Sequence, residues 1–299
     1  MSLIQIDHLV KDFGGVRAVD DLTFAIDAGR ISGFLGPNGS GKTTTLLSLL
    51  GLVTPTSGTA TIDGRSYASL ADPLAEVGAM LAANAHPART ARDHLRVLAA
   101  EAGVPRARAD ELLGLVELGA AADRRAGGFS LGMRQRLGLA GALMGDPRIL
   151  VLDEPANGLD PEGIRWLRDF LVALAGEGRT VLLSSHVLSE VAQTVDEVVV
   201  ISRGRLVTHL PLSELMARRS GGRVRLRTPD YAALQAVLID AGFKVASTGG
   251  ELHVASTDQD AIARLAFASG HLLYEITTDA ESLEEVFLTL TTEPQEVLA

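Results

Sequence analysis

Gly36-Pro37-Asn38-Gly39-Ser40-Gly41-Lys42-Thr43-Thr44 decides the fold class of this chain. It fits the pattern G-x-x-x-x-G-K-[ST], which carries chemical meaning only between a strand and a helix. The apolar run 31–35 before it predicts a strand, and the segment 43–50 after it predicts a helix closed by Gly51. Glycine at 36, 39 and 41 lets the backbone turn tightly, so that successive N–H groups converge on phosphate oxygens. The helix N-terminus adds the positive end of its dipole at the same place. Lys42 can then reach the β- and γ-phosphates, and the Thr43 hydroxyl can ligate Mg²⁺. With Asn38, Ser40 and Thr44 in the same loop, the reading is a nucleoside triphosphate site in an α/β protein.

Ile149-Leu150-Val151-Leu152-Asp153-Glu154 supplies a second part. Four apolar residues without alternation fit a strand buried on both faces of a parallel sheet. Asp153 then stands at the carboxyl end, where open α/β sheets bind ligands, and can hold Mg²⁺ through water. Glu154 follows directly and can polarise an attacking water as a general base. Alone, such an acidic pair would be an idle, solvated strand end; beside the phosphate loop it gains a task.

Between these segments lies Phe129-Ser130-Leu131-Gly132-Met133-Arg134-Gln135-Arg136. Read by itself, it is a helix start over 133–144 with Ser130 as N-cap. Read with the other two motifs, it resembles the ABC-transporter ATPase signature, L-S-G-G-Q followed by Q-R. Ser130, Gly132, Gln135 and Arg136 match, whereas Leu131 replaces a glycine and Met133 replaces the glutamine. The resemblance implies a P-loop ABC ATPase core with an antiparallel β subdomain and a helical subdomain. It also implies that Ser130 and Gly132 grip the γ-phosphate of ATP bound to a second copy, in a head-to-tail homodimer that sandwiches two ATP molecules.

Further segments fit the same family. Asn157-Gly158-Leu159-Asp160-Pro161 resembles its inter-subunit loop, and His186, after the predicted strand 180–184, resembles its switch histidine at the γ-phosphate. Lys11-Asp12-Phe13-Gly14-Gly15 resembles the loop whose aromatic residue, here Phe13, stacks on adenine. One position departs: aligning 77–81 with the strand before the family's glutamine loop puts Ala82 where a glutamine should stand, with Asn84 as a possible stand-in.

The bulk properties narrow the partners. A formal net charge of −10 argues against a nucleic-acid groove, since phosphate binding is driven by Lys and Arg. The chain has no cysteine, which excludes disulfides, zinc ribbons and thiol catalysis. No run approaches the roughly 18–20 apolar residues that span a bilayer. The N-terminus lacks the layout of a signal peptide and looks like an edge strand. A transport function would therefore need a separate membrane permease, with this chain in the cytoplasm and peripheral on the inner face of the membrane.

Residues 1–30 alternate as two antiparallel strands about Phe13-Gly14-Gly15, and 57–64 reads as a strand ending in an Asp-Gly turn. From 90 to 126 the spacing is helical, with Leu95, Leu98, Leu112, Leu113, Val116 and Leu118 facing a core. The strands 197–202 and 205–209 should close the ATPase. A shift to Arg, Ser and Gly over 218–222 marks a linker, dividing an ATPase domain (1–219) from a small α+β domain (220–299). Beyond it, strand 223–227, helix 231–241, strands 244–246 and 252–254, helix 259–269 and strand 272–277 form a split-βαβ order. A short amphipathic helix over 282–290 ends the pattern. This tail resembles the C-terminal extension of daunorubicin- and bacitracin-resistance exporter ATPases, and no catalytic set is visible in it. The resemblance implies an ATPase that powers an exporter; an importer ATPase, or a regulatory or non-transport ABC ATPase, is the alternative.

Overall fold

The computed structural model describes residues 2–82, 85–218, 223–256, 258–279 and 291. In chain order the elements are β1 (Ser2–Phe13), β2 (Val16–Asp27), β3 (Ile31–Leu35), α1 (Lys42–Leu49), β4 (Ser57–Ile62), α2 (Pro73–Glu76) and β5 (Val77–Met80). Then come α3 (Ala91–Glu101), α4 (Ala107–Leu115), α5 (Leu131–Ala142), β6 (Ile149–Leu152), α6 (Pro161–Gly176), β7 (Thr180–Ser185) and α7 (Leu188–Val191). The last are β8 (Glu197–Ser202), β9 (Arg205–Pro211), α8 (Leu212–Arg218), β10 (Arg223–Arg227), α9 (Tyr231–Asp240), β11 (Val245–Thr248), β12 (Glu251–Ala255), α10 (Gln259–Ala268) and β13 (Glu275–Asp279).

The unbroken apolar runs became the interior of a six-stranded sheet, in the order β5-β6-β7-β3-β8-β9. All its pairings are parallel except β8 with β9, and β3, β6 and β7 are buried along their whole length. Register sets the chemistry. Leu35 lies opposite Ser185 and Leu152 opposite Leu183, so the phosphate loop, Asp153 and His186 all leave the sheet at its carboxyl edge.

The alternating N-terminal segments form a second, antiparallel sheet in the order β2-β1-β4. Its inner residues Ile4, Ile6, Leu22 and Ile26 share one apolar core with Phe34, Leu46, Leu49 and Val151, and the Phe24 and Phe34 rings sit 5.3 Å apart. The helical segment is α3 to α5. Thr90 caps α3 by accepting the Asp93 N–H at 3.0 Å, and Leu95, Leu112, Leu113, Val116 and Leu118 are buried. Leu98 is half-buried, its Cδ1 over the bare backbone of Gly141 on α5.

The chain divides into two compact units, the first holding Met1–Leu212 and the second Ser213–Thr292. The second is a split βαβ: the antiparallel sheet β11-β12-β10-β13 with α9 and α10 over one face. Val224, Leu226, Leu252 and Val254 from the strands meet Leu234, Leu238, Ile262 and Ala266 from the helices in a core of their own. On the other face Arg225 and Arg227 pair with Glu251 and Glu275.

Two elements start two residues or more from expectation. Helix α5 starts at Leu131 rather than 133, since a capping serine begins the helix at the next residue. Strand β13 starts at Glu275 rather than 272, because Gly270 (φ +79°) and His271 still close α10, His271 donating to Ala266 O. The expected linker residues 219–222, the helix 282–290 and Asn84 lie outside the described residues.

Candidate active site

The phosphate loop is shaped by crowding as much as by freedom to turn. A Cβ on Gly36 would stand 2.4 Å from Ser40 Oγ and 2.5 Å from the Ile201 carbonyl oxygen; one on Gly41 would stand 2.4 Å from Ala18 O, at a φ of +103°. The loop is pinned at both ends, Gly36 N–H donating to Ser185 O at 3.3 Å and Gly204 N–H to Ser40 O at 2.9 Å. It delivers α1 with Gly41 as N-cap and no acidic residue in the first turn, so the positive helix end is left for an anion. Asn38 and Gly39 are exposed, Thr44 is half-buried, and Ser40 Oγ is buried without a hydrogen-bond partner among the described residues. An orphaned hydroxyl and an uncompensated helix end fit a phosphate.

Five of the expected residues come together. The Lys42 ammonium, only 5% exposed, donates to Gly36 O at 2.7 Å and lies 3.3 Å from Glu154 Oε1. The other Glu154 oxygen, Oε2, is 2.8 Å from His186 Nδ1. An ionised carboxylate only accepts hydrogen bonds, so Nδ1 carries the proton of this contact. Thr43 Oγ1 donates to Asp153 Oδ2 at 2.8 Å. Glu154 holds a left-handed φ of +49°, at a cost of about 1–3 kcal/mol for a residue with a side chain. Close by, burial pushes the Glu190 carboxyl above its ordinary range; the His186 imidazole opposes this and the Glu154 charge adds to it.

A residue the sequence reading passed over joins this cluster. Ser184 Oγ donates to Asp153 Oδ1 and accepts the Glu154 N–H at 2.9 Å. Its only sequence signal was a polar side chain inside a buried strand.

The remaining expected residues sit apart. Ser130 caps α5 by accepting the Met133 N–H at 3.2 Å, which leaves its own O–H free to donate. Ser130, Leu131, Gly132 and Met133 line an open cleft of about 380 Å³ together with Gly158, Leu159 and Asp160. No phosphate-loop residue lines that cleft. Leu131 packs where a side chain on Gly158 would be, and Leu159 faces Gly132. Arg136 stacks on Trp166 at 4.0 Å and donates to Val116 O, tying α5 to α4 and α6. Phe13 ends β1, 48% exposed as a residue, with Lys11 Nζ 4.8 Å over its ring centroid. Ala82 is exposed just beyond β5 and offers no ligand.

A phosphate loop, a lysine and a strand-end Asp-Glu pair with a facing histidine define an ATP-hydrolysing P-loop cassette. The family described as ABC transporter matches residues 19–157, and a domain of unknown function (DUF8746) matches 222–284. Bacitracin transport ATP-binding protein BcrA of Bacillus licheniformis is 37% identical over 300 residues, covering 97% of this chain and 97% of that protein. Lantibiotic transport ATP-binding protein SrtF of Streptococcus pyogenes is 36% identical over 69% of this chain and 89% of that protein. A bacterial ABC transporter cassette solved as a dimer has a TM-score of 0.64 at 25% identity, over 70% of this chain and 99% of that one. The chain belongs to the ATP-binding subunits of ABC transporters, and it is an ATPase. Among the described residues no helix is long and apolar enough to cross a membrane.

Proposed function

We propose that two copies of this chain close head-to-tail around ATP, and that hydrolysis resets a separate membrane permease through which cargo is exported. The observation that carries this is Glu154, held between the Lys42 ammonium at 3.3 Å and the His186 imidazole at 2.8 Å. A carboxylate so placed at the mouth of a phosphate loop is set to take a proton from water attacking the γ-phosphate. Lys42 would exchange its contact with Glu154 for phosphate oxygens, freeing the base at the moment substrate arrives. His186 orients Glu154 through Nδ1, and a proton on Nε2 as well would let the ring donate to the γ-phosphate.

Thr43 and Asp153 are the residues that would hold Mg²⁺. Both offer hard oxygens, already 2.8 Å apart, and Mg²⁺ fills its remaining positions with water and phosphate. When bound, the ion would supply positive charge that offsets the charge of the triphosphate during its cleavage. Ser130 and Gly132 would contribute the opposite side of the site in trans, in line with a signature cleft that contains none of its own phosphate loop. Phe13 would stack on the adenine with its exposed ring. ATP supply places the chain in the cytoplasm, peripheral at the inner membrane face through its permease, with no nucleic-acid partner. Peptide antibiotics are the cargo class to test first, given what the bacitracin and lantibiotic relatives are named for.

The test is Glu154→Gln. It should bind ATP as the wild type does, hold a dimer visible by light scattering, and hydrolyse about 10²–10⁴-fold more slowly. Wild-type turnover would remove Glu154 from the base role.

A further inference from the structure

Ser184 touches two of the residues on which the proposed chemistry depends, and it does so with a single hydroxyl. It is a fully buried residue near the end of β7, inside the parallel sheet. Its Oγ donates to Asp153 Oδ1, while Oδ2 of the same carboxylate receives the Thr43 hydroxyl. The serine therefore fixes which carboxylate oxygen faces Thr43. The same Oγ accepts the Glu154 N–H at 2.9 Å, where the backbone holds its left-handed φ of +49°. A hydroxyl can donate to a carboxylate and accept from an amide at once, whereas an alanine can do neither. The adjacent Ser185 does different work: its Oγ accepts the Val187 N–H at 3.0 Å and shapes the turn after His186.

We propose that Ser184 is a positioning residue for hydrolysis. It keeps Asp153 turned towards Thr43 and keeps Glu154 in the turn that sets its carboxylate beside Lys42 and His186. This rests on the roles given above to Asp153 and Glu154. Removing the hydroxyl leaves the Glu154 N–H buried without its acceptor and lets the Asp153 carboxylate rotate. Among the described residues no hydrogen bond joins the Ser184 hydroxyl to Lys42 or the rest of the phosphate loop, so ATP capture should survive. Misplacing a catalytic group by about 1 Å costs on the order of 10²-fold in rate, which sets the scale of the effect.

The experiment compares full-length wild type, Ser184→Ala, Ser184→Thr and Glu154→Gln. It measures kcat, KM for ATP, thermal melting, and Mn²⁺ affinity of the ATP-loaded protein by electron paramagnetic resonance. Ser184→Ala should lower kcat about 10–100-fold, leave KM within about threefold, and weaken Mn²⁺ binding several-fold. Ser184→Thr keeps the hydroxyl and should recover most of both losses. Wild-type kcat and Mn²⁺ affinity in Ser184→Ala would overturn the proposal. So would equal damage in the alanine and threonine variants at equal melting temperature, since packing would then be the cause. Wild-type turnover in Glu154→Gln would sink the base assignment separately, and the Mn²⁺ measurement on Ser184→Ala would still decide whether the serine holds Asp153.

Discussion

Gly36→Ala adds one methyl group and should disable the site. The new Cβ would lie 2.5 Å from the Ile201 carbonyl oxygen, about 0.8 Å inside the roughly 3.3 Å at which carbon and oxygen meet comfortably. It would also stand 2.4 Å from Ser40 Oγ. The serine can rotate away, but the carbonyl belongs to β8, held between β3 and β9 in the six-stranded sheet, and cannot. The loop must therefore lift by most of an ångström, taking its N–H groups and the start of α1 with it. Overpacking of this kind costs about 1–3 kcal/mol. For a chain of this size that is a melting-temperature loss of roughly 2–12 °C. The functional loss should be larger than the stability loss, because about 1 Å of misplacement costs on the order of 10²-fold in rate. Calorimetric titration with ATP, steady-state hydrolysis and a thermal melt read the three effects. Wild-type melting together with wild-type turnover would refute the steric argument and, with it, the claim that this loop grips phosphate closely.

Three further outcomes follow from the geometry. Mixing a Ser130→Arg chain with a Lys42→Ala chain leaves one composite site intact in the heterodimer, so hydrolysis should appear in the mixture and in neither parent; its absence from a verified heterodimer would count against a site shared in trans. The hydrogen bond from His209, aided by Ser32 and opposed by burial, holds the Glu197 carboxyl below its ordinary 4.5. A lowered carboxylate stabilises the fold above that value and loses its contribution as pH falls through the lowered one. Glu197→Gln should thus melt below wild type at neutral pH, with the gap narrowing in acid; a pH-independent gap would refute the link. Finally, a chain ending at Arg219 should stay folded and bind ATP while losing permease coupling, because the core of the second unit is built from its own residues; insolubility or collapsed ATP affinity would show that the tail belongs to the ATPase core.

Much of this was legible because it is local. The phosphate loop and the buried strand 149–152 are continuous patterns whose chemistry travels with their spacing, so Lys42, Thr43, Asp153 and Glu154 could be named from their own segments, and His186, after the strand 180–184, from the family resemblance those segments carry. The split βαβ was legible for the same reason: its strands alternate and its helices are capped by Asp230 and Asp258. Ser184 was not, because its importance depends on β6 and β7 lying side by side in one register, a pairing between residues about thirty apart. The packing of Leu131 against the Gly158 backbone was hidden likewise, although each residue belongs to a family motif. Boundaries slipped by two or three residues where a cap or a closing glycine took extra chain, as at Leu131 and Glu275.

The departures from the family pattern fall in particular places. Ala82 and Leu131 both lie outside the cluster of Lys42, Thr43, Asp153, Glu154 and His186, which is complete. That cluster hangs from the carboxyl ends of β3, β6 and β7, where sheet register leaves each side chain one position, and a change there would cost the chemistry directly. Ala82 follows β5 at the edge of the sheet, and Leu131 opens a helix beside an exposed cleft. Both are surface positions, Leu131 at the mouth of the signature cleft and Ala82 at the rim of the sheet. Leu131 adds an apolar contact to the Gly158 loop within its own chain, which ties the signature segment to that loop. The residues set for hydrolysis thus stand at the ends of buried strands and these two departures stand at exposed positions, which is why the activity could be read from continuous stretches of this chain.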